Sequence, residues 1–178
     1  MAMNPSVKKV AGWYNRQASE YCAGEDRPIG GYIRALSAYS GVTAATVGAA
    51  RLTGRRAPAR ITPWDVVLLG TATHKLTRIL AKDAVTSPLR APFVQYKGAS
   101  GESELAEEVR EHGGTKHAVG ELLTCPFCLA QWVATTFVAG WVFAPGLTRL
   151  ATSTFAGVAL SDFLQLAYAT LQRTAEGD

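Results

Sequence analysis

Two long stretches near the C-terminus carry almost no charge. Residues 129–148 contain none, and Arg149 closes the run; residues 150–172 contain one, Asp162. Each is long enough for the roughly 20 helical residues that cross a bilayer core. Pro145-Gly146 between them is a helix stop and turn, so the pattern predicts a helical hairpin with spans near 127–146 and 149–172. Two earlier segments are weaker. One, near 33–51, is uncharged from 35 to 50 but built of Ala, Ser, Thr, Gly and Val, small residues that suit close helix packing in lipid. The other, near 63–82, starts at Pro63, runs apolar from Val66 to Thr73, and then meets His74, Lys75, Arg78 and Lys82. Those long side chains must reach an interface or face protein.

The first 28 residues are polar and lack a signal-peptide core. Asn4-Pro5 reads as a helix start. Val7, Val10, Tyr14, Ala18 and Tyr21 recur at helical steps, one apolar stripe. With Trp13 beside Lys8, Lys9 and Arg16, this amphipathic segment fits either an anionic membrane surface or a protein groove. The organisation expected is therefore a polar segment, 1–28, and a helical membrane domain, 29–178.

Residues 83–125 are the sizeable water-facing part. Thr86-Ser87-Pro88 and Ala91-Pro92 force a turning path. Glu102, Glu104, Glu107, Glu108 and Glu111 around Leu105 and Val109 read as a short acidic helix over 102–112, ended by Gly113-Gly114. The plain reading is a solvated helix capping the bundle; the sharper one is a docking surface for a basic protein partner.

Composition agrees with this picture. Of 178 residues, 48% are apolar and 18% charged, against about 25% charged in ordinary soluble domains, which excludes a disordered chain. Three cysteines exclude a disulfide scaffold. The net charge of +4 is spread along the chain, so no nucleic-acid partner is indicated. Charge also bears on topology. Four crossings place 13 of the 18 Lys and Arg residues with both termini and the 83–125 segment, while Arg51, Arg55, Arg56, Arg60 and Arg149 lie opposite; three crossings give 10 against 8. The positive-inside rule prefers four spans with 83–125 in the cytoplasm, and the Arg51–Arg60 cluster pulls the other way.

Two constellations carry chemistry. Cys125-Pro126-Phe127-Cys128 opens a span, with Cys125 at the N-cap. Buried reduced thiols packing a helix end are the expectation, since cytosol is reducing. A zinc site with His112 and His117 in the spacing H-x4-H-x7-C-x2-C is one alternative, and redox exchange is another. Asp162 lies mid-span, where a lone carboxylate costs roughly 2.5–3.5 kcal/mol. It should have a partner: Gln165 one turn on, His74, Lys75 or Arg78 from the second segment, or Gln131 from the third. A structural pair is preferred over a proton path, because one acid without discontinuous helices makes a poor conduit. No phosphate loop, zincin motif or nucleophile elbow is present, so no enzyme activity and no cofactor are expected.

The residues also resemble a known family. His74-Lys75-Leu76-Thr77-Arg78-Ile79-Leu80, Lys82-Asp83 and Thr86-Ser87-Pro88-Leu89-Arg90-Ala91-Pro92-Phe93 are similar to its first signature. Gly120-Glu121-Leu122-Leu123-Thr124-Cys125-Pro126-Phe127-Cys128-Leu129, followed by Trp132, is similar to its second. The family is a bacterial membrane-protein family catalogued as domain of unknown function 1360, and the resemblance covers about residues 62–170. It implies a small multi-span protein and no particular activity. The expectation is thus an all-α, polytopic protein of the bacterial cell membrane with three or four transmembrane helices. Its partner is the lipid bilayer, and it serves as an anchor or scaffold presenting the cytoplasmic segment to a protein. A small permease or proton or ion conductor using Asp162 is the alternative, and a thiol or zinc protein a second.

Overall fold

A computed structural model describes residues 5–25, 27–101, 103–110 and 113–177. The predicted N-cap Asn4, and Glu102, Glu111 and His112, lie outside the described residues. Among those described, the order is α1 (Pro5–Cys22), α2 (Ile29–Leu52), α3 (Pro63–Lys82), α4 (Ser87–Arg90), β1 (Val94–Gly101), β2 (Glu104–Val109), α5 (Gly114–Thr124), α6 (Pro126–Phe143) and α7 (Pro145–Glu176).

α3 begins on a capping box. The Thr62 hydroxyl accepts the Asp65 N–H, the Asp65 carboxylate accepts the Thr62 N–H, and Pro63 fills the first helical position, which satisfies orphan donors at both ends of the turn. α3 then runs between α6 and α7. Ala72 of α3 meets Val133 and Phe137 of α6, with Leu69, Leu76, Leu80, Ala151 and Phe155 packed around them. The Phe137 and Phe155 ring centroids are 6.4 Å apart. α6 and α7 approach closely where a glycine allows it: a Cβ on Gly140 would sit 2.4 Å from Thr148 Oγ1.

The helix ends sort into two groups. At one end Arg55 of the α2–α3 connection donates to the Phe143 carbonyl at 3.4 Å, and Arg149 at the start of α7 pairs with Asp65 at 2.9 Å. At the other end Arg34 near the start of α2 donates to Thr115 of α5. There Gly31 lies so near Gly114 and Ala118 that a Cβ would be 2.4 Å from the Gly114 carbonyl oxygen. α2 therefore runs with α6, and α3 with α7. α1 lies exposed, with Val10 and Tyr21 of its stripe and the neighbouring Trp13 facing outward.

The structure corrects the all-α expectation. The predicted acidic helix is a strand: β2 pairs antiparallel with β1, Val94 opposite Val109 and Gly101 opposite Glu104. The four-residue step from Leu105 to Val109 keeps both on one face of a strand as well as of a helix. Pairing with the distant β1 decides between the two. Val109 packs against Gly120, where a Cβ would meet Val109 Cγ1 at 2.8 Å. The 83–125 segment is thus a small folded layer of α4, hairpin and α5 on one end of the bundle.

Two helices, α6 and α7, are long and apolar enough to cross a membrane by length and composition. The segments predicted as earlier spans form α2 and α3, which fall short of that measure; their Ala, Thr, Gly and late basic residues lower their hydropathy.

Candidate functional site

The chemistry-bearing residues gather where the C-terminal half of α3, the later part of α7 and the hairpin turn meet. His74, Lys75 and Arg78 share one stripe of α3 through i,i+3 and i,i+4 steps. Lys75 Nζ donates to Asp162 Oδ2 at 2.6 Å. One turn further, Arg78 Nε donates to Glu104 Oε1 at 2.7 Å, tying α3 to β2. The exposed His74 ring stacks on Phe163, with centroids 6.0 Å apart. Gln165 points into the same region and donates to Ser161 within its own helix at 3.2 Å. These side chains, with Arg173, line an open cleft of about 840 Å³.

Gln131 is not part of this cluster. Its amide donates to the Tyr39 hydroxyl at 2.7 Å, and Tyr39 also shares a 2.8 Å hydrogen bond with Thr135 and stands edge-on to Trp132. Gln131 therefore joins α6 to α2 and leaves Asp162 to Lys75.

A second ion pair, this one buried, joins α4 to β2, and the sequence pattern did not reveal it. Arg90 is fully buried. Its Nε lies 2.5 Å from Glu107 Oε2 and its NH2 3.2 Å from Glu107 Oε1. NH1 donates to the Leu80 carbonyl and the Thr86 hydroxyl, each at 2.8 Å, and NH2 to the Asp83 carbonyl at 3.0 Å. All five N–H donors of a guanidinium are thereby used. The only sequence signal was a lone Arg in the Thr86–Phe93 motif, opposite an acidic run.

The cysteine site differs from expectation in two ways. Cys125 and Cys128 are joined as a disulfide, with Cα atoms 5.3 Å apart, and Cys128 is exposed rather than buried. A three-residue spacing in the first turn of α6 brings the Cα atoms within disulfide range. Cys125 is the N-cap as expected, its sulfur accepting the Cys128 N–H at 3.2 Å, with Pro126 in the first turn. His117 is turned to other partners: Nδ1 accepts the Gly113 N–H at 3.3 Å and Nε2 lies 3.4 Å from Glu121. Among the described residues no three His, Cys, Asp or Glu side chains converge on a metal position. Glu121 also receives the Tyr32 hydroxyl and sits 3.6 Å from Arg27. Burial and the Glu121 hydrogen bond push the Tyr32 phenol up to about 12.

A family model described as protein of unknown function (DUF1360) matches residues 68–168. The chain belongs to this family. The matched DUF1360 region starts in α3 and ends in α7, so it holds the Lys75–Asp162 pair, Arg90–Glu107 and both cysteines of the α6 cap. A bacterial relative is sporulation protein YjcA of Bacillus subtilis (strain 168), 35% identical over 72 residues. The similarity covers 39% of this chain and 60% of that protein. No solved structure matches.

Proposed function

We propose that the chain is a multi-pass protein of the bacterial cell membrane whose main role is that of an anchor, holding the hairpin and α5 at the cytoplasmic surface for a protein partner. One observation carries this reading. α6 and α7 have the hydropathy of core helices, yet only 17% and 11% of their apolar windows are buried inside the protein. In water, two such exposed surfaces would be far larger than the few hundred square ångströms a soluble monomer tolerates; lipid removes the conflict.

Packing argues for four spans. α3 lies between α6 and α7, and Asp65–Arg149 sets the start of α3 level with the start of α7. A bilayer around α6 and α7 would take in the packed face of α3 as well, which supports counting it as a span. α2 follows through Tyr39, Gln131 and Arg55. α1, exposed and flanked by Lys8, Lys9 and Arg16, suits the anionic leaflet surface on the same side.

Alkaline carbonate extraction of native membranes should leave the protein in the pellet, and recovery in the supernatant would end the membrane reading. A photo-crosslinker at the exposed Tyr96 of β1 should yield one discrete protein adduct in native membranes. Absence of any adduct there, with the fold intact, would end the scaffold reading. The relative's printed name concerns sporulation; a part in sporulation for this chain is a proposal resting on the shared 72 residues.

A second reading, a small permease or proton or ion conductor, is favoured by the Lys75–Asp162 pair lining an open cleft. Purified protein in liposomes would then pass protons or ions, and Asp162→Asn would stop the flux without unfolding the protein.

A further inference from the structure

We infer that Cys125 and Cys128 form a thiol–disulfide exchange site at the water-facing end of the bundle, with Cys128 as the sulfur that meets the substrate and Cys125 as the resolving one.

Three observations on the page converge. The two sulfurs are placed as a disulfide pair, with Cα atoms 5.3 Å apart across the first turn of α6. The two sulfurs are not equivalent: Cys128 is exposed, whereas Cys125 is half-buried in the α5–α6 junction. Cys125 alone is the N-cap, where its sulfur accepts the Cys128 N–H at 3.2 Å and faces the positive end of α6. A helix N-terminus lowers a thiol pKa and stabilises the thiolate. Phe127, between them, is 91% exposed, an apolar contact for an incoming chain beside the accessible sulfur.

The substrate class is a dithiol. One of its thiolates attacks Cys128 Sγ; the S–S bond breaks and its electron pair leaves on Cys125, the better leaving group. A mixed disulfide now joins the substrate to Cys128. The second substrate thiolate attacks its own sulfur in that bond and releases Cys128 as thiolate. Two protons pass from the dithiol to the two cysteines, and two electrons reduce the chain as the dithiol becomes a disulfide. The reverse sequence reduces a substrate disulfide.

The test uses full-length protein in detergent with Cys22, the free cysteine, changed to Ser. Equilibrated across mixtures of reduced and oxidised dithiothreitol, the protein should carry zero or two maleimide labels and never predominantly one. With oxidised glutathione, Cys125→Ser should accumulate a mixed disulfide at Cys128 on the order of tenfold faster than Cys128→Ser does at Cys125, because the exposed Cys128 sulfur can reach the glutathione disulfide in line and the half-buried Cys125 sulfur cannot, which outweighs the larger thiolate fraction at Cys125. Melting transitions check that each Ser variant folds. Should one not, brief alkylation of the reduced two-cysteine protein, read by peptide mass, should label Cys128 first. Single-label species, equal or reversed rates, no disulfide in oxidising mixtures, or one zinc per chain lost in Cys125→Ser would each overturn the assignment.

Discussion

Arg90 grips Glu107 with two parallel hydrogen bonds while neither side chain is more than 5% exposed. Its remaining donors close onto the Leu80 and Asp83 carbonyls and the Thr86 hydroxyl. One side chain thus holds the C-terminal end of α3, the turn after it and the inner strand of the hairpin together. A buried, bidentate and fully satisfied pair fixes geometry more than it adds net stability.

Breaking that pair is costly in either direction. Arg90→Met leaves the Glu107 carboxylate buried alone, and Glu107→Ala leaves the guanidinium alone; each should destabilise by about 3–5 kcal/mol. Arg90→Lys keeps the charge but loses the fork, and should fall between these and wild type. Limited proteolysis in detergent should show cleavage within residues 94–109 in the first two variants before the helices are cut. Unchanged protection would remove the pair from its role in holding the hairpin.

The Lys75–Asp162 contact should respond more weakly, because 44% of the Asp162 side chain faces the cleft against 19% for Lys75. Asp162→Asn still accepts from Lys75 and should melt close to wild type. Asp162→Leu leaves the ammonium without its acceptor and should melt lower than Asp162→Asn. Melting temperatures measured side by side in one detergent decide it; equal values for wild type and Asp162→Leu would mean the contact does not bear on the fold.

Much of this arrangement was readable from spacing. Pro63 and Lys82 bound α3 as predicted, the Pro145 break separates α6 from α7, and Cys125 caps α6, because caps, prolines and apolar runs act locally. The hairpin was not readable. Leu105 and Val109 lie on one face in either secondary structure, and their choice depends on Val94 and Gly120, distant in sequence. Arg90–Glu107 was missed for the same reason: the pair crosses from α4 to β2. The Gln131 contact follows from α2, not α3, presenting Tyr39 to that face of α6, and which helix neighbours α6 there is not encoded in the local spacing.

Gly31 and Gly140 make a direct test of packing. At Gly140 an added Cβ would meet the Thr148 side chain at 2.4 to 3.3 Å, and at Gly31 it would strike the Gly114 backbone. Thr148 can rotate, so Gly140→Ala should cost less than Gly31→Ala, where backbone must move. Overpacking of this kind costs about 1–3 kcal/mol. Thermal unfolding of both variants gives the order, and a more stable Gly31→Ala would contradict the close approach of α2 and α5.

Tyr32 predicts an alkaline limit. It lies near the start of α2, where burial and Glu121 hold its phenol up at about 12, from an ordinary 10.0. The folded state therefore keeps a proton that the unfolded state releases. The stabilisation is full below pH 10 and disappears as pH rises through about 12. Wild-type melting temperature should fall over that window more steeply than that of Tyr32→Phe, which has no proton to lose. Parallel curves would mean the Tyr32–Glu121 contact does not persist in solution.

The last prediction is orientation. If the four proposed spans cross in the observed packing, β1 and the 53–62 connection lie on opposite sides of the bilayer. Ser100 and Ala57 are exposed at those two places, so single cysteines there, in a background lacking the native three, report the two faces. The positive-inside rule would then put the hairpin in the cytoplasm, and Arg51, Arg55, Arg56, Arg60 and Arg149 would lie on the outer side and count against it. The structure weakens that objection. Arg149 is paired with Asp65, and Arg55 turns back to the Phe143 carbonyl. Two of the five arginines are therefore engaged within the protein. An impermeant maleimide on intact cells should label Ala57→Cys and reach Ser100→Cys only after permeabilisation. Labelling of Ser100→Cys alone would invert the orientation. Equal labelling of both without permeabilisation would mean that α3, which connects the two faces, does not cross the membrane.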